Sequence, residues 1–272
     1  MTGLPDPETF LSGEHGEVGG KRGLVRRAGD VALDRWLEKS GVLRRIDSAA
    51  AELPSRDVTV ASIYRPPADR LEQALPQLTS DHHRVELRLG SMEDLTGGKF
   101  ENLNTLIGAG SESDWLLVVD DDVALPPRFL DRMIALAELF HLQMAAPAQS
   151  LASHAAWRVT RRRARSIIRE TNFVEIGPVT LISSTAAETL LPFPPLRYGW
   201  GLDLAWGATA LDRGWRLGVA DALPVKHESA AVGSAYPAEA AIEEARTYLA
   251  TRPYLSSAAA QETRVTHRSL PQ

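Results

Sequence analysis

The chain contains no cysteine, so disulfides, thiolate metal sites and a cysteine nucleophile are all excluded. It has no apolar run of the length a membrane span needs. Its first residues are polar and carry Gly, Pro and acids, without the basic-then-apolar order of a secretory signal. Basic charge is in deficit. Against 35 Asp and Glu stand 30 Lys and Arg, and the net charge of −5 disfavours bulk attraction to nucleic acid or anionic lipid. No internal repeat is visible. These absences lead us to expect a cytoplasmic protein with no nucleic-acid partner and no membrane span. What is present is ordinary for a globular chain: 44% hydrophobic and 24% charged residues over 272 positions, enough for one large domain or two small ones.

One stretch stands apart. The apolar run Trp115, Leu116, Leu117, Val118, Val119 ends abruptly in Asp120, Asp121 and Asp122. Such a run reads as a buried strand. Three adjacent carboxylates repel one another unless a counter-charge is present, and a divalent cation is the simplest one. Alternate residues of an extended segment share a face, so Asp120 and Asp122 can ligate one ion while Asp121 points elsewhere. Oxygen donors of this kind suit Mg²⁺ or Mn²⁺. The competing explanation is helix capping, since Pro126 and Pro127 precede a helical pattern from Phe129 to Leu142. Three acids in a row exceed what a cap requires.

The rest of the chain frames that stretch. Residues 1 to about 22 read as poorly ordered. Val25 to about Leu53 reads as helix with a break at Ser40-Gly41, a candidate dimerisation element. Val58 to Tyr64 is a strand, Ala68 to Leu78 a helix, Arg84 to Leu89 a strand, and Lys99 to Ile107 a helix. The alternation predicts an α/β fold with a mostly parallel central sheet flanked by helices. Further on, Arg161 to Arg165 forms a basic run, expected as a solvated helix face. Thr171 to Ser183 reads as a strand pair or a bent strand interrupted at Gly177-Pro178. Leu202 to Leu211 reads as a helix. Trp215 to Val219 and Leu223 to Val225 read as two strands, Ala238 to Leu249 as a helix, and the residues after Ser256 as a loose tail.

Four local patterns in this order resemble nucleotide-sugar glycosyltransferases of the Rossmann-like GT-A fold, and glycosyltransferase family 2 in particular. They are the opening strand and helix from Val58 to Leu78; Gly97, Gly98, Lys99, Phe100, Glu101, Asn102, Leu103, Asn104; the DXD-like Asp120 to Asp122; and Gly199, Trp200, Gly201, Leu202, Asp203, Leu204, Ala205, Trp206. The resemblance covers about Val58 to Glu228. It departs at Leu202, where the family has the first of two acids. The Gln-X-X-Arg-Trp motif of processive synthases is absent. The implied division is an N-terminal extension over 1–56, a catalytic domain over 57–230 with halves 57–150 and 151–230, and a C-terminal helix and tail over 231–272.

The resemblance implies a metal-dependent transfer of a sugar, of the hexosyltransferase type, from a nucleoside-diphosphate sugar, UDP first among them, to an acceptor hydroxyl. Asp120, Asp122 and His227 would hold Mn²⁺ or Mg²⁺. Tyr64, Arg65, Asp94, Lys99, Asp120 and Asp121 would meet the nucleotide, and Tyr198, Trp200 and Gly201 the acceptor. Asp203 would be the general base of an inverting reaction, with Glu175 and Asp221 as weaker candidates. Each residue has a plainer reading. His227 as a lone histidine is more often a hydrogen-bonded residue than a ligand, Asp203 can be a first-turn carboxylate, and the tryptophans can be core. Rival functions are a nucleotidyltransferase, which usually has glycine where Ile63 to Pro67 stands, and an aspartate-based phosphohydrolase, which carries its acids on the first strand. A non-catalytic nucleotide-sugar-binding module is a third.

Overall fold

The computed structural model describes residues 20–108, 112–153, 155–227 and 237–271. The poorly ordered N-terminus expected from the sequence lies almost wholly outside these residues. Two helices open the described chain, α1 (Gly20–Ser40) and α2 (Val42–Glu52), separated at Gly41, whose φ of 68° suits glycine. Then follow β1 (Asp57–Tyr64), α3 (Asp69–Ala74), β2 (Arg84–Ser91), α4 (Lys99–Ile107), β3 (Trp115–Val119), β4 (Val123–Ala124), α5 (Phe129–Leu139) and β5 (Met144–Gln149). The second half holds β6 (Ile168–Thr171), β7 (Val179–Ser183), α6 (Ser184–Leu190), α7 (Leu202–Arg213), β8 (Leu217–His227), α8 (Ala238–Leu249), α9 (Ser257–Ala260) and β9 (Thr263–His267).

All nine strands form one sheet in the order β2-β1-β3-β7-β5-β8-β6-β9, with β4 paired to β8. Strands β2, β1, β3, β5, β8 and β9 run one way, and β7 and β6 are reversed. The sheet is therefore mostly parallel in direction, as expected, and its parallel strands are covered on both faces. Side-chain alternation divides the core. Leu116 and Val118 of β3 pack with α4, α6, α7 and α8, whereas Trp115, Leu117 and Val119 pack with α2, α3 and α5. Helix α5 lies between the sheet and α2, and its residues from Leu130 to Ala137 are almost all buried. Removing a side chain such as Leu117, which is fully buried, is expected to cost about 2–5 kcal/mol.

Several elements differ from the sequence reading. Strand β5 was not expected, since its Met-Ala-Ala-Pro-Ala-Gln sequence lacks β-branched residues; it is held between β7 and β8 by position in the sheet. The two late strands are one continuous β8 of 11 residues. The segment after Ser256 is no loose tail, because β9 pairs with β6 and completes the sheet edge. The basic run is no solvated helix. Arg162 is 5% exposed and paired with Asp34 of α1 at 2.7 Å, and Arg161 Nη1 donates to the carbonyls of Leu151 and Ser153. Asp30 of α1 also accepts the N–H groups of Leu151 and Ala152, so α1 is tied to the loop after β5.

Candidate active site

The site lies at the carboxyl ends of β1, β3 and β8, where open α/β sheets bind ligands. Strand β3 delivers the acids. Continuing its alternation, Asp120 falls on the α4 side with Leu116 and Val118, and Asp121 on the α3 side. The bonding agrees. Asp121 Oδ2 accepts the Arg65 N–H at 2.7 Å, which fixes the turn after β1; burial raises its pKa, against the lowering effect of that amide. Strand β4 places the third acid. Its short antiparallel pairing sets Val123 opposite His227, so Asp122 comes beside the end of β8. His227 Nε2 stands 2.9 Å from Asp122 Oδ1. Burial opposes charge on His227, but Asp122, aided by Asp120 and Glu175, outweighs it and raises the imidazole pKa.

Asp120, Asp122 and His227 offer ligand atoms that all lie within 4.8 Å of one another. Two carboxylates and an imidazole in that span fit a hard or borderline divalent ion. The metal-ligating residues expected from the sequence are thus brought together.

Lys99 reaches this cluster from the start of α4, with Nζ 2.6 Å from Asp120 Oδ1. The residues around it hold its backbone. Asn102 accepts the Gly97 N–H and donates to the Gly97 carbonyl, both at 3.0 Å. Glu101 accepts the Gly98 N–H at 2.7 Å, and Asn104 pairs with both backbone groups of Phe193. Gly98 is required by a chain crossing, since a Cβ there would lie 2.2 Å from Arg197 Cα. The Lys99 N–H donates to the Arg197 carbonyl at 3.1 Å, which joins α4 to the loop before α7.

That loop carries Tyr198, Trp200 and Gly201. Glu244 of α8 accepts the N–H groups of Arg197, Tyr198 and Gly199 at 2.6, 2.9 and 2.9 Å and holds the loop from behind. Trp200 does not offer an open stacking face. It is 7% exposed and belongs to the core, because the loop turns it inward. Tyr198 is half-buried, and Gly201, at φ 83°, starts α7 under Leu249. Asp203, 5% exposed, accepts the Leu204 N–H at 2.9 Å and also a bond from the Ile176 amide. Burial lifts its pKa to about 7, against those amides.

Glu175, one residue before that amide, was only a weaker candidate on sequence grounds. Its Oε2 is sealed from solvent without a hydrogen-bond partner, and burial, followed by the Asp203 charge, lifts the carboxyl to about 8. An acid two residues before a Gly-Pro break was the only signal in the sequence. Asp221, by contrast, is no base: its carboxylate is saturated by Arg169 and the Arg163 N–H. Tyr64 ends β1 half-buried, and Arg65 is exposed beyond it. Asp94 is exposed in the turn after β2, its N–H bonded to the Ser91 carbonyl. A groove of about 540 Å³ at the opposite, amino end of β1 and β2 is lined by Asp57, Arg84, Glu86 and Arg88, which already pair with one another.

No protein-family model and no curated relative matches the chain. Solved structures overlap it loosely. A mannosyltransferase from Pyrobaculum calidifontis, PcManGT, in complex with GDP-Man and Mn²⁺, is 17% identical over 71% of this chain and 65% of its own, with a TM-score of 0.42. S. aureus TarS 1-349 in complex with UDP-GlcNAc is 12% identical over 65% of this chain and 57% of its own, also at 0.42. A197 from STIV is 14% identical over 64% of this chain and 86% of its own, at 0.40. The chain therefore spans less than two thirds of the first of these and of TarS. Overlaps of this size do not bear on chemistry. Among the described residues no helix is long and apolar enough to cross a membrane.

Proposed function

We propose that the chain is a metal-dependent glycosyltransferase of the GT-A type, moving a sugar from a nucleoside diphosphate to an acceptor hydroxyl with inversion. One observation carries this reading. A cluster able to hold a divalent ion carries a lysine on it, and the buried Glu175 feels the charges of that cluster's Asp120 and His227 as well as that of Asp203, a buried carboxyl lifted to about 7. The residues that would hold the ion are Asp120, Asp122 and His227. Bound there, a divalent cation supplies charge neutralisation for a diphosphate leaving group. An imidazole in the ligand set favours Mn²⁺ over Mg²⁺.

The chain's own residues supply the rest. Lys99 carries a positive charge to the same oxygens on a flexible stem. The turn after β1, held by Asp121, offers Tyr64 and Arg65 to the nucleotide. Asp203, lifted by burial to about 7, takes the proton of the attacking hydroxyl at its carboxylate. UDP is the first donor class to test, and the cytoplasm is the location this reading expects.

The test is a calorimetric titration with UDP, GDP, ADP and dTDP, each with Mn²⁺ and with EDTA. Metal-dependent binding of one nucleotide supports the transferase and names the donor class. Binding that ignores EDTA removes the metal from the account. Binding of none returns the chain to the phosphohydrolase or non-catalytic readings.

A further inference from the structure

Both acids of the candidate metal site are already engaged by side chains of the chain itself. Lys99 Nζ stands 2.6 Å from Asp120 Oδ1, and His227 Nε2 stands 2.9 Å from Asp122 Oδ1. The second oxygen of Asp120 is also closely approached. A Cβ added at Gly177 would come within 2.8 Å of Oδ2 and 3.5 Å of Lys99 Nζ, so a residue without a side chain lets this strap lie directly over the ion pair. The same strap accepts the Asp120 N–H at the Pro178 carbonyl, 2.8 Å away. Asp120 is therefore held by its backbone, walled on one oxygen and paired on the other.

Something must move before a metal ion can use Asp120, and the structure shows which part is able to. The Lys99 backbone is pinned by the Arg197 carbonyl and by the Gly98 crossing. Its side chain is not walled in: the lysine is 28% exposed and its partner 24%. An ammonium and a divalent ion cannot share one carboxylate oxygen at contact distance, because like charges in a half-buried site repel strongly. A diphosphate beside the site offers the ammonium a new anionic partner within the sweep of its four-carbon stem.

We propose that Lys99 is the resting counter-ion of Asp120, that a divalent cation competes with it for that carboxylate, and that a nucleoside diphosphate relieves the competition by drawing Lys99 onto its phosphates. Metal and nucleotide then bind with positive coupling, each raising the affinity of the other by one and the same factor. The nucleotide part rests on the transferase reading above; the competition between Lys99 and the metal does not.

The experiment is Mn²⁺ binding to the full chain, read as free Mn²⁺ by electron paramagnetic resonance, alone and with UDP or GDP. Wild type is compared with Lys99→Met, Lys99→Gln and the charge-preserving Lys99→Arg, after thermal melts establish that each is folded. Both neutral variants are expected to bind Mn²⁺ alone roughly tenfold more tightly than wild type and to lose most of the nucleotide-induced gain, a size ordinary for coupling between sites. Lys99→Arg should stay close to wild type. Neutral variants that bind Mn²⁺ no more tightly than wild type overturn the proposal, as does a nucleotide-induced gain of equal size in wild type and neutral variants. Tighter Mn²⁺ binding in the neutral variants with no nucleotide binding by any form leaves the competition standing and sinks the transferase reading instead.

Discussion

Asp221 and Asp203 are two buried aspartates, 1% and 5% exposed, with opposite surroundings. Asp221 receives Arg169 Nε at 2.7 Å, Arg169 Nη2 at 3.0 Å and the Arg163 N–H at 2.8 Å. Arg169 is itself completed by the carbonyls of Val159 and Arg161. Four of the five guanidinium N–H groups are thus used, the carboxylate accepts three bonds, and both side chains are fully sealed. Among the described residues Asp203 meets only backbone amides and no cation, and burial lifts it to about 7. The contrast separates structural from chemical carboxylates. A buried acid whose lone pairs are all used holds the chain together. One that burial leaves short of partners keeps affinity for a proton and can do work with it.

The largest effect that would sharpen this contrast lies on the structural side. Asp221→Ala strands the Arg169 guanidinium in the core and is expected to cost about 3–5 kcal/mol in urea or guanidinium unfolding. A cost under about 1 kcal/mol would show that Arg169 finds other partners. On the chemical side, Asp203→Asn should lower turnover by about 10²–10⁴-fold, read as nucleoside diphosphate released from a sugar nucleotide. Its effect on stability should have the other sign. The folded chain holds the Asp203 proton up to about pH 7, whereas an unfolded aspartate gives it up near about 3.9. The folded state then binds more protons between those values, so Asp203 erodes stability as pH rises through that window. Asp203→Asn removes the erosion and should be at least as stable as wild type at pH 8.

The pH profile follows from the same group. Turnover should climb as pH rises through about 7, as Asp203 ionises, and level off above. A profile flat from pH 5 to 8 would move the base elsewhere, and a climb centred on about 8 would assign it to Glu175 instead. The smallest effect should come from Trp200→Phe. Because Trp200 is core, it should shift the melting temperature by a few degrees and leave Mn²⁺-dependent nucleotide affinity unchanged.

The sequence made the site more legible than the fold around it. The run from Trp115 to Val119 ending in three acids marked the interior strand β3 and two candidate metal-site acids together, because a wholly buried strand and clustered charge each leave a local signature. His227 and Asp203 became candidates through the family resemblance alone, because a lone histidine and a first-turn carboxylate leave no local signature of their own. Strand β4 has two residues and no pattern, yet its pairing with β8 is what sets Asp122 beside His227. Strands β5 and β9 were invisible because one is Ala- and Pro-bearing and the other alternates without a buried face. Arg162 and Arg169 read as solvated or unassigned because their partners, Asp34 and Asp221, are distant in sequence. Trp200 reads equally well as platform or core until the loop held by Glu244 turns it inward.

The most direct test of the account is Asp203→Asn measured in two ways on one preparation: Mn²⁺-dependent affinity for the nucleoside diphosphate, and release of that nucleotide from its sugar conjugate. The account predicts unchanged affinity with turnover lost by at least about 10²-fold. Turnover retained near the wild-type level, with affinity unchanged, would contradict it.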